Sequence, residues 1–149
     1  MAVRITTREL RESGTLDLGA GEWLIVDQVR IDHFAEATDD HQWIHVDPRR
    51  AAEGPFGSTV AHGYLTMSLL PRLFEELLEV TDRRMGVNYG IDRLRLLSPV
   101  LSGSRIRLKA VVRSVEVRGE GLLLRVGAEV EIEHGTRPAL VGELLYLVY

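Results

Sequence analysis

An acid and an imidazole five positions apart, Asp40 and His45, lie in the stretch 38–64, TDDHQWIHVDPRRAAEGPFGSTVAHGY. Within the same stretch, Ala61-His62-Gly63 opens a long apolar run. A carboxylate, a base and a helix start with free N–H groups are the parts needed to move a proton beside a carbonyl and to meet the charge that develops on its oxygen. Spacing alone leaves two readings open. In a continuous helix five residues rotate by about 500°, which sets the two side chains about 140° apart. They converge only if the helix ends near Asp40 and the chain turns, as the poor helix formers Asp39-Asp40-His41-Gln42 allow. Otherwise Asp39 and Asp40 are carboxylates at a helix end, and His41 and His45 are surface loop residues. His62 reads either as a buried ring satisfied by backbone or as a group facing a ligand. Gly63 either permits close helix packing or lets an acyl carbonyl approach the N–H at the helix start. His33 and His134 read as surface residues.

These residues need elements to hold them. Residues 6–12 form a short amphipathic helix ended by Ser13-Gly14, and 22–29 read as a first strand. From Asp32, a possible cap, to Thr38 the pattern is helical, with Phe34, Ala35 and Thr38 on one face. Asp47-Pro48 is an N-cap followed by proline at the first helical position, and Gly54-Pro55 ends that helix. Residues 63–80 read as a long helix buried on most sides, interrupted by Pro71. A mid-helix proline costs about 3 kcal/mol, so a kink or a boundary between two helices is expected there. Four strands follow, at about 87–97, 104–117, 121–133 and 139–148. Leu122, Leu124, Val126, Ala128, Val130 and Ile132 alternate with Arg125, Glu129, Glu131 and Glu133, the period of a half-buried antiparallel strand. Residues 139–148 are apolar on both faces apart from Glu143, which implies cover by the helix on one side and by a partner on the other.

Composition narrows the class. The chain has 149 residues, 45% apolar and 27% charged, with a formal net charge of -4, the profile of one globular domain spanning 1–149 and not of a nucleic-acid binder. It has no cysteine, so disulfides, thiolate metal sites and a cysteine nucleophile are excluded. Lys109 is the sole lysine beside 17 arginines, a skew of composition under which the arginines are not each read as ligand contacts. No apolar run reaches the roughly 20 residues that span a membrane, and MAVRITTREL lacks a signal core, so a cytoplasmic protein with no membrane partner is expected. The element order gives an α+β fold, a curved antiparallel sheet wrapped around a long central helix. One helix covers one face of such a sheet, and a homodimer is the simplest cover for the remaining apolar surface.

The segment from Phe34 to Gly63 resembles the MaoC-like dehydratases, the R-specific enoyl-CoA hydratases of the hot-dog fold. Their motif sets an aromatic residue and a short helix before Gly-Asp-x-Asn-Pro-(Ile/Leu)-His, and a later His-Gly opens the central helix. Asp40, Ile44 and His45 match the first part and His62-Gly63 the second. Asn88-Tyr89-Gly90 through Arg95, Ser98-Pro99-Val100 and Gly103 resemble the family's strand and following turn. Asp39, Gln42 and Trp43 depart from it, standing where glycine, asparagine and proline are usual. The resemblance implies reversible syn addition of water to a trans-2-enoyl-CoA, giving the R-3-hydroxyacyl-CoA, with no metal or other cofactor. Asp40 and His45 are then the catalytic pair, and the Gly63 N–H meets the thioester oxygen. His62, Trp43, Phe56 and Tyr64 are expected around the substrate, and Arg93 and Arg95 are candidate CoA contacts. An acyl-CoA thioesterase of the same fold and a non-catalytic acyl-binding subunit are the alternatives.

Overall fold

The computed structural model describes residues 2–149. Fourteen elements follow in chain order: β1 (Val3–Ile5), α1 (Thr7–Glu12), β2 (Leu16–Ala20), β3 (Leu24–Val26), α2 (Gln28–Thr38), α3 (Trp43–Val46), α4 (Pro48–Ala52), α5 (Gly63–Ser68), α6 (Leu70–Glu75), β4 (Leu78–Val80), β5 (Gly86–Leu96), β6 (Ser104–Arg118), β7 (Gly121–Ile132) and β8 (Leu140–Val148). The main sheet runs β2-β6-β7-β8-β5, antiparallel throughout, with β3 continuing the β2 edge along β6. The expected α+β class and the four C-terminal strands are present within a residue or two of the expected ends.

The core is the seam between α5–α6 and the concave face of this sheet. Leu65, Leu69, Leu70, Leu73, Phe74 and Leu77 pack against Ile106, Leu108, Val112, Leu124, Val126 and Leu140, all buried. On β7 the alternation seen in the sequence sends Leu124, Val126, Ala128 and Val130 into that seam.

Three expectations are corrected. The first strand is not 22–29 but two short pieces, 16–20 and 24–26, because Asp27 turns the chain into α2 by accepting from the Arg30 N–H at 2.9 Å. Asp27, not Asp32, is therefore the cap, and Asp32 lies inside the helix. The expected 63–80 helix does divide at Pro71, one of the two outcomes expected there, into two six-residue helices that meet at Leu69, since Pro71 has no N–H to donate to the Met67 carbonyl. Its last expected turn is instead β4, which pairs in parallel with β1 (Val3 with Leu78, Ile5 with Val80). Among the described residues no helix is long and apolar enough to cross a membrane.

Candidate active site

The site begins where α2 stops. Asp39 takes the left-handed conformation (φ 57°, ψ 21°) as C-cap of α2, which turns Asp40 off the helix line. Aspartate is one of the few side chains that tolerates this region, and a requirement for positive φ is why glycine suits the position. Gln42 then caps α3, its N–H reaching Asp40 Oδ1 at 3.4 Å, and Trp43 opens the single turn that carries His45. The first position of a helix is where proline fits best, so the proline of the motif and the tryptophan found here occupy a place without an intrahelical N–H bond. Trp43 uses it to pack toward α4: its ring lies under Arg50 at 4.4 Å and against Gly54, where a Cβ would come within 3.0 Å of the indole.

His45 is buried, 7% exposed, and its Nδ1–H donates to the Val60 carbonyl at 2.6 Å. The neutral ring therefore carries its lone pair on Nε2. Val60 is itself fixed on both sides. Its N–H bonds the Ile44 carbonyl at 2.9 Å, while Ala61 N–H bonds Val100 O at 2.8 Å and Ser102 N–H bonds Thr59 O at 2.9 Å. The segment 59–61 is thus a splint between α3 and the turn after β5. Gln28 braces the same turn: its Nε2 donates to His45 O at 2.7 Å and to Asp32 at 2.8 Å, and it accepts from the Thr59 hydroxyl. Sequence reading missed Gln28 and Thr59, because nothing local in a strand-like EWLIVDQV points 17 residues ahead.

His62, 3% exposed, is the N-cap of α5. Its Nε2–H donates to the Asp40 carbonyl at 3.0 Å, and its ring stacks on His45 with centroids 3.8 Å apart and planes 22° from parallel. Phe34 leans on the same ring at 4.9 Å. A carboxylate oxygen of Asp40 and ring nitrogens of His45 and His62 all lie within 4.8 Å of one another. The acid and base five positions apart do converge. These three groups are also the set from which a metal ligand cluster could be drawn, with His45 Nδ1 and His62 Nε2 engaged by main-chain carbonyls. Burial pushes the His45 pKa below the ordinary imidazole value, and nearby His62 adds to this, against the opposing Val60 bond and Asp40 charge. At neutral pH His45 is therefore a free base. His41 lies on the surface, paired with Glu36 at 2.8 Å, a bond that raises its pKa.

Beside His45 opens a cavity of about 320 Å³ lined by Phe56, Gly63, Thr66, Leu96, Pro99 and Ala139, among others. Gly63, first in α5, has no intrahelical acceptor for its N–H. A Cβ there would stand 2.3 Å from Leu96 Cδ1, so glycine is required for this approach. Thr66 places a hydroxyl three residues along the same helix face, 60° from Gly63 by the helical repeat of about 100° per residue. It was legible as one of two small hydroxyl residues, with Ser68, in the apolar run that opens at Gly63, and was missed. Of the residues expected around a substrate, Phe56 and Gly63 line the cavity. Tyr64 does not; one residue further round the helix, it points to solvent at 68% exposure. Trp43 faces α4, and His62 stands behind His45 instead of in the cavity. His33 and His134 are exposed, as expected. Arg93 sits in a β-bulge with φ 51° and bonds Glu143 at 3.5 Å, while Arg95 bonds the Leu94 carbonyl. One helical turn beyond the cavity, Met67, Leu70, Phe74, Ile91 and Leu144 border a second, apolar cleft of about 330 Å³.

Comparison with known proteins gives this geometry a family. The MaoC like domain model matches residues 13–132. Nodulation protein N of Rhizobium leguminosarum bv. viciae is 47% identical over 135 residues, 89% of this chain and 84% of that one. The 3-hydroxyacyl-thioester dehydratase Z of Mycobacterium tuberculosis is 44% identical over 127 residues, 85% of this chain and 84% of that one. Among solved structures, the unliganded R-hydratase of Pseudomonas aeruginosa superposes with a TM-score of 0.70 at 19% identity, covering 91% of this chain and 87% of that chain, a likeness of fold. The six-stranded sheet over α5–α6 is thus the hot-dog fold, and the chain is an enzyme of the MaoC-like dehydratase family.

Proposed function

We propose that this protein, as one MaoC-like domain over its 149 residues, is an R-specific enoyl-CoA hydratase. It adds water reversibly to a trans-2-enoyl thioester, with Asp40 and His45 as the catalytic pair. The observation that carries the reading is the His45 Nδ1–H bond to Val60 O, which leaves Nε2 free as a base on a ring that lines the cavity and has a nitrogen within 4.8 Å of an Asp40 carboxylate oxygen. The activity named for the mycobacterial relative supports the thioester substrate. Asp40 holds the water by accepting one of its hydrogens, and His45 Nε2 removes a proton as the oxygen bonds C3. Electron density moves from the C2–C3 double bond onto the thioester oxygen, where the Gly63 N–H donates to the enolate. The dyad then returns one proton to C2, so the product gains the elements of water and the enzyme ends as it began. Both additions come from the single face occupied by the dyad, which makes the addition syn. The acyl tail leaves toward the apolar cleft beside Met67 and Phe74.

The working form is a homodimer that assembles through β5. This strand is an edge of the sheet, and Met85 just before it and Val87, Tyr89, Ile91 and Leu96 along it are exposed. The reading is tested by following crotonyl-CoA and octenoyl-CoA with the enoyl absorbance, chiral analysis of the product and a thiol reagent in parallel. Loss of absorbance with R-3-hydroxyacyl product and no free thiol is expected. Thiol release would make the protein a thioesterase, and no reaction with either substrate would make it a non-catalytic acyl-binding subunit. Native mass spectrometry of the active sample should show two copies of the chain.

A further inference from the structure

Resting on the function proposed above, we infer that His62 is a positioning residue for that reaction, which holds acid and base at one separation without touching the substrate. The ring makes two contacts that lead to the two members of the pair. Its Nε2–H bonds the main-chain carbonyl of Asp40 at 3.0 Å, and its face lies 3.8 Å from the imidazole of His45. One side chain therefore ties the residue after the α2 cap to the base on α3, from a position at the start of α5. Phe34, tilted 56° and 4.9 Å away, confines the ring further.

Packing alone does not explain a histidine here. At 3% exposure, its Nδ1 is buried without a hydrogen-bond partner among the described residues. A leucine or phenylalanine would fill similar space without a buried, unmet ring nitrogen, which is a real cost for a histidine with no other task. What those side chains lack is the combination present here, a donor aimed at Asp40 O together with a flat ring against His45. The donor limits where the Asp40 main chain can move, and hence where its carboxylate presents a water. The stacked ring limits rotation of His45 about its Val60 bond, and it gives the imidazolium formed during turnover an aromatic face as neighbour.

The two contacts are separable by substitution. His62→Gln retains a donor at nearly the Nε2 position and loses the ring; His62→Phe retains the ring and loses the donor. With crotonyl-CoA as substrate, each is expected to lower kcat 10- to 100-fold while KM stays within about threefold, and His62→Ala is expected to be worse than either. On a His45→Gln background, His62→Gln should cost less than about threefold more, because the ring works through His45. Wild type inactive on every enoyl thioester would sink the function, and this assignment with it. Active wild type with His62→Gln and His62→Phe both within threefold in kcat would overturn the assignment. So would fold losses that multiply on the His45→Gln background, or loss of the folded state in both variants, either of which makes His62 a residue of the fold alone.

Discussion

Gly63→Ala tests the oxyanion donor, and its consequence can be worked from the coordinates. The new methyl would stand 2.3 Å from Leu96 Cδ1 and 3.4 Å from its Cγ and Cδ2. Ordinary carbon contacts lie near 3.5–4.0 Å, so Leu96 must withdraw by more than about 1 Å. It can do so, because the clashing atom ends a flexible side chain that is 50% exposed. An imperfect rotamer costs about 0.5–1.5 kcal/mol, and alanine recovers up to about 1 kcal/mol of helix propensity over glycine. The net stability change is then within about 1 kcal/mol, or about 2–4 °C in Tm for a chain this size. Activity should respond much more. Alanine keeps the N–H proposed to meet the enolate, but its methyl enters the cavity beside it and holds the thioester oxygen away; losing contact with such a donor costs about 2.7–4 kcal/mol, a factor of about 10² to 10³ in kcat. Initial rates of crotonyl-CoA hydration, read beside a thermal melt, separate the two effects. A variant that is folded and keeps kcat within fivefold of wild type refutes the role of the Gly63 N–H. A fall in Tm of more than about 10 °C would show instead that glycine is there for packing.

Other outcomes follow from the same geometry. Because burial depresses the His45 pKa and the base must be unprotonated, kcat/KM should fall on the acid side only below the ordinary imidazole value of 6.5. The same shift means that the unfolded chain takes up this proton at a higher pH than the folded one. Stability contributed by neutral His45 is complete above about 6.5 and lost as pH falls through its lower folded value, and urea melts at several pH values should show that sign. Gln28→Leu removes the brace on the His45 carbonyl and on Thr59; about 1–3 kcal/mol of stability should go with it, with a loss in kcat exceeding any rise in KM. At Asp39, whose φ is 57°, Asp39→Val should lower stability by about 1–2 kcal/mol by denaturant titration while Asp39→Gly should not.

How much of this was legible in the sequence depends on the range over which each feature is encoded. The turn that lets Asp40 and His45 converge was legible because its signal is local, a run of weak helix formers that starts at Asp39, but spacing left two readings open and the family resemblance made the two residues a pair. His62-Gly63 was visible for the same reason, at the start of an apolar run. Gln28 and Thr59 were not, since their value lies in hydrogen bonds to a turn that exists only once the chain has folded. Trp43 and Tyr64 were placed by neighbourhood, and residue type carries no information on direction. Tyr64 follows Gly63 by one residue, yet that step turns it out of the cavity. The strand β4 was hidden because Leu77, Leu78 and Val80 continue an apolar helical run, and its partner β1 lies 75 residues earlier. The break at Leu69 was expected as one of two consequences of Pro71, and the proline chose the boundary over the kink.

The central claim is that Asp40 and His45 act as one unit on one water. It is tested most directly by the rate of crotonyl-CoA hydration for Asp40→Asn, His45→Gln and the double variant, each confirmed folded by its melt. Each single substitution should reduce kcat at least about 10³-fold, and the double variant should be little worse than the poorer single one, as groups that act together are not additive. Single variants that keep kcat within tenfold of wild type, or losses that multiply in the double variant, would contradict it.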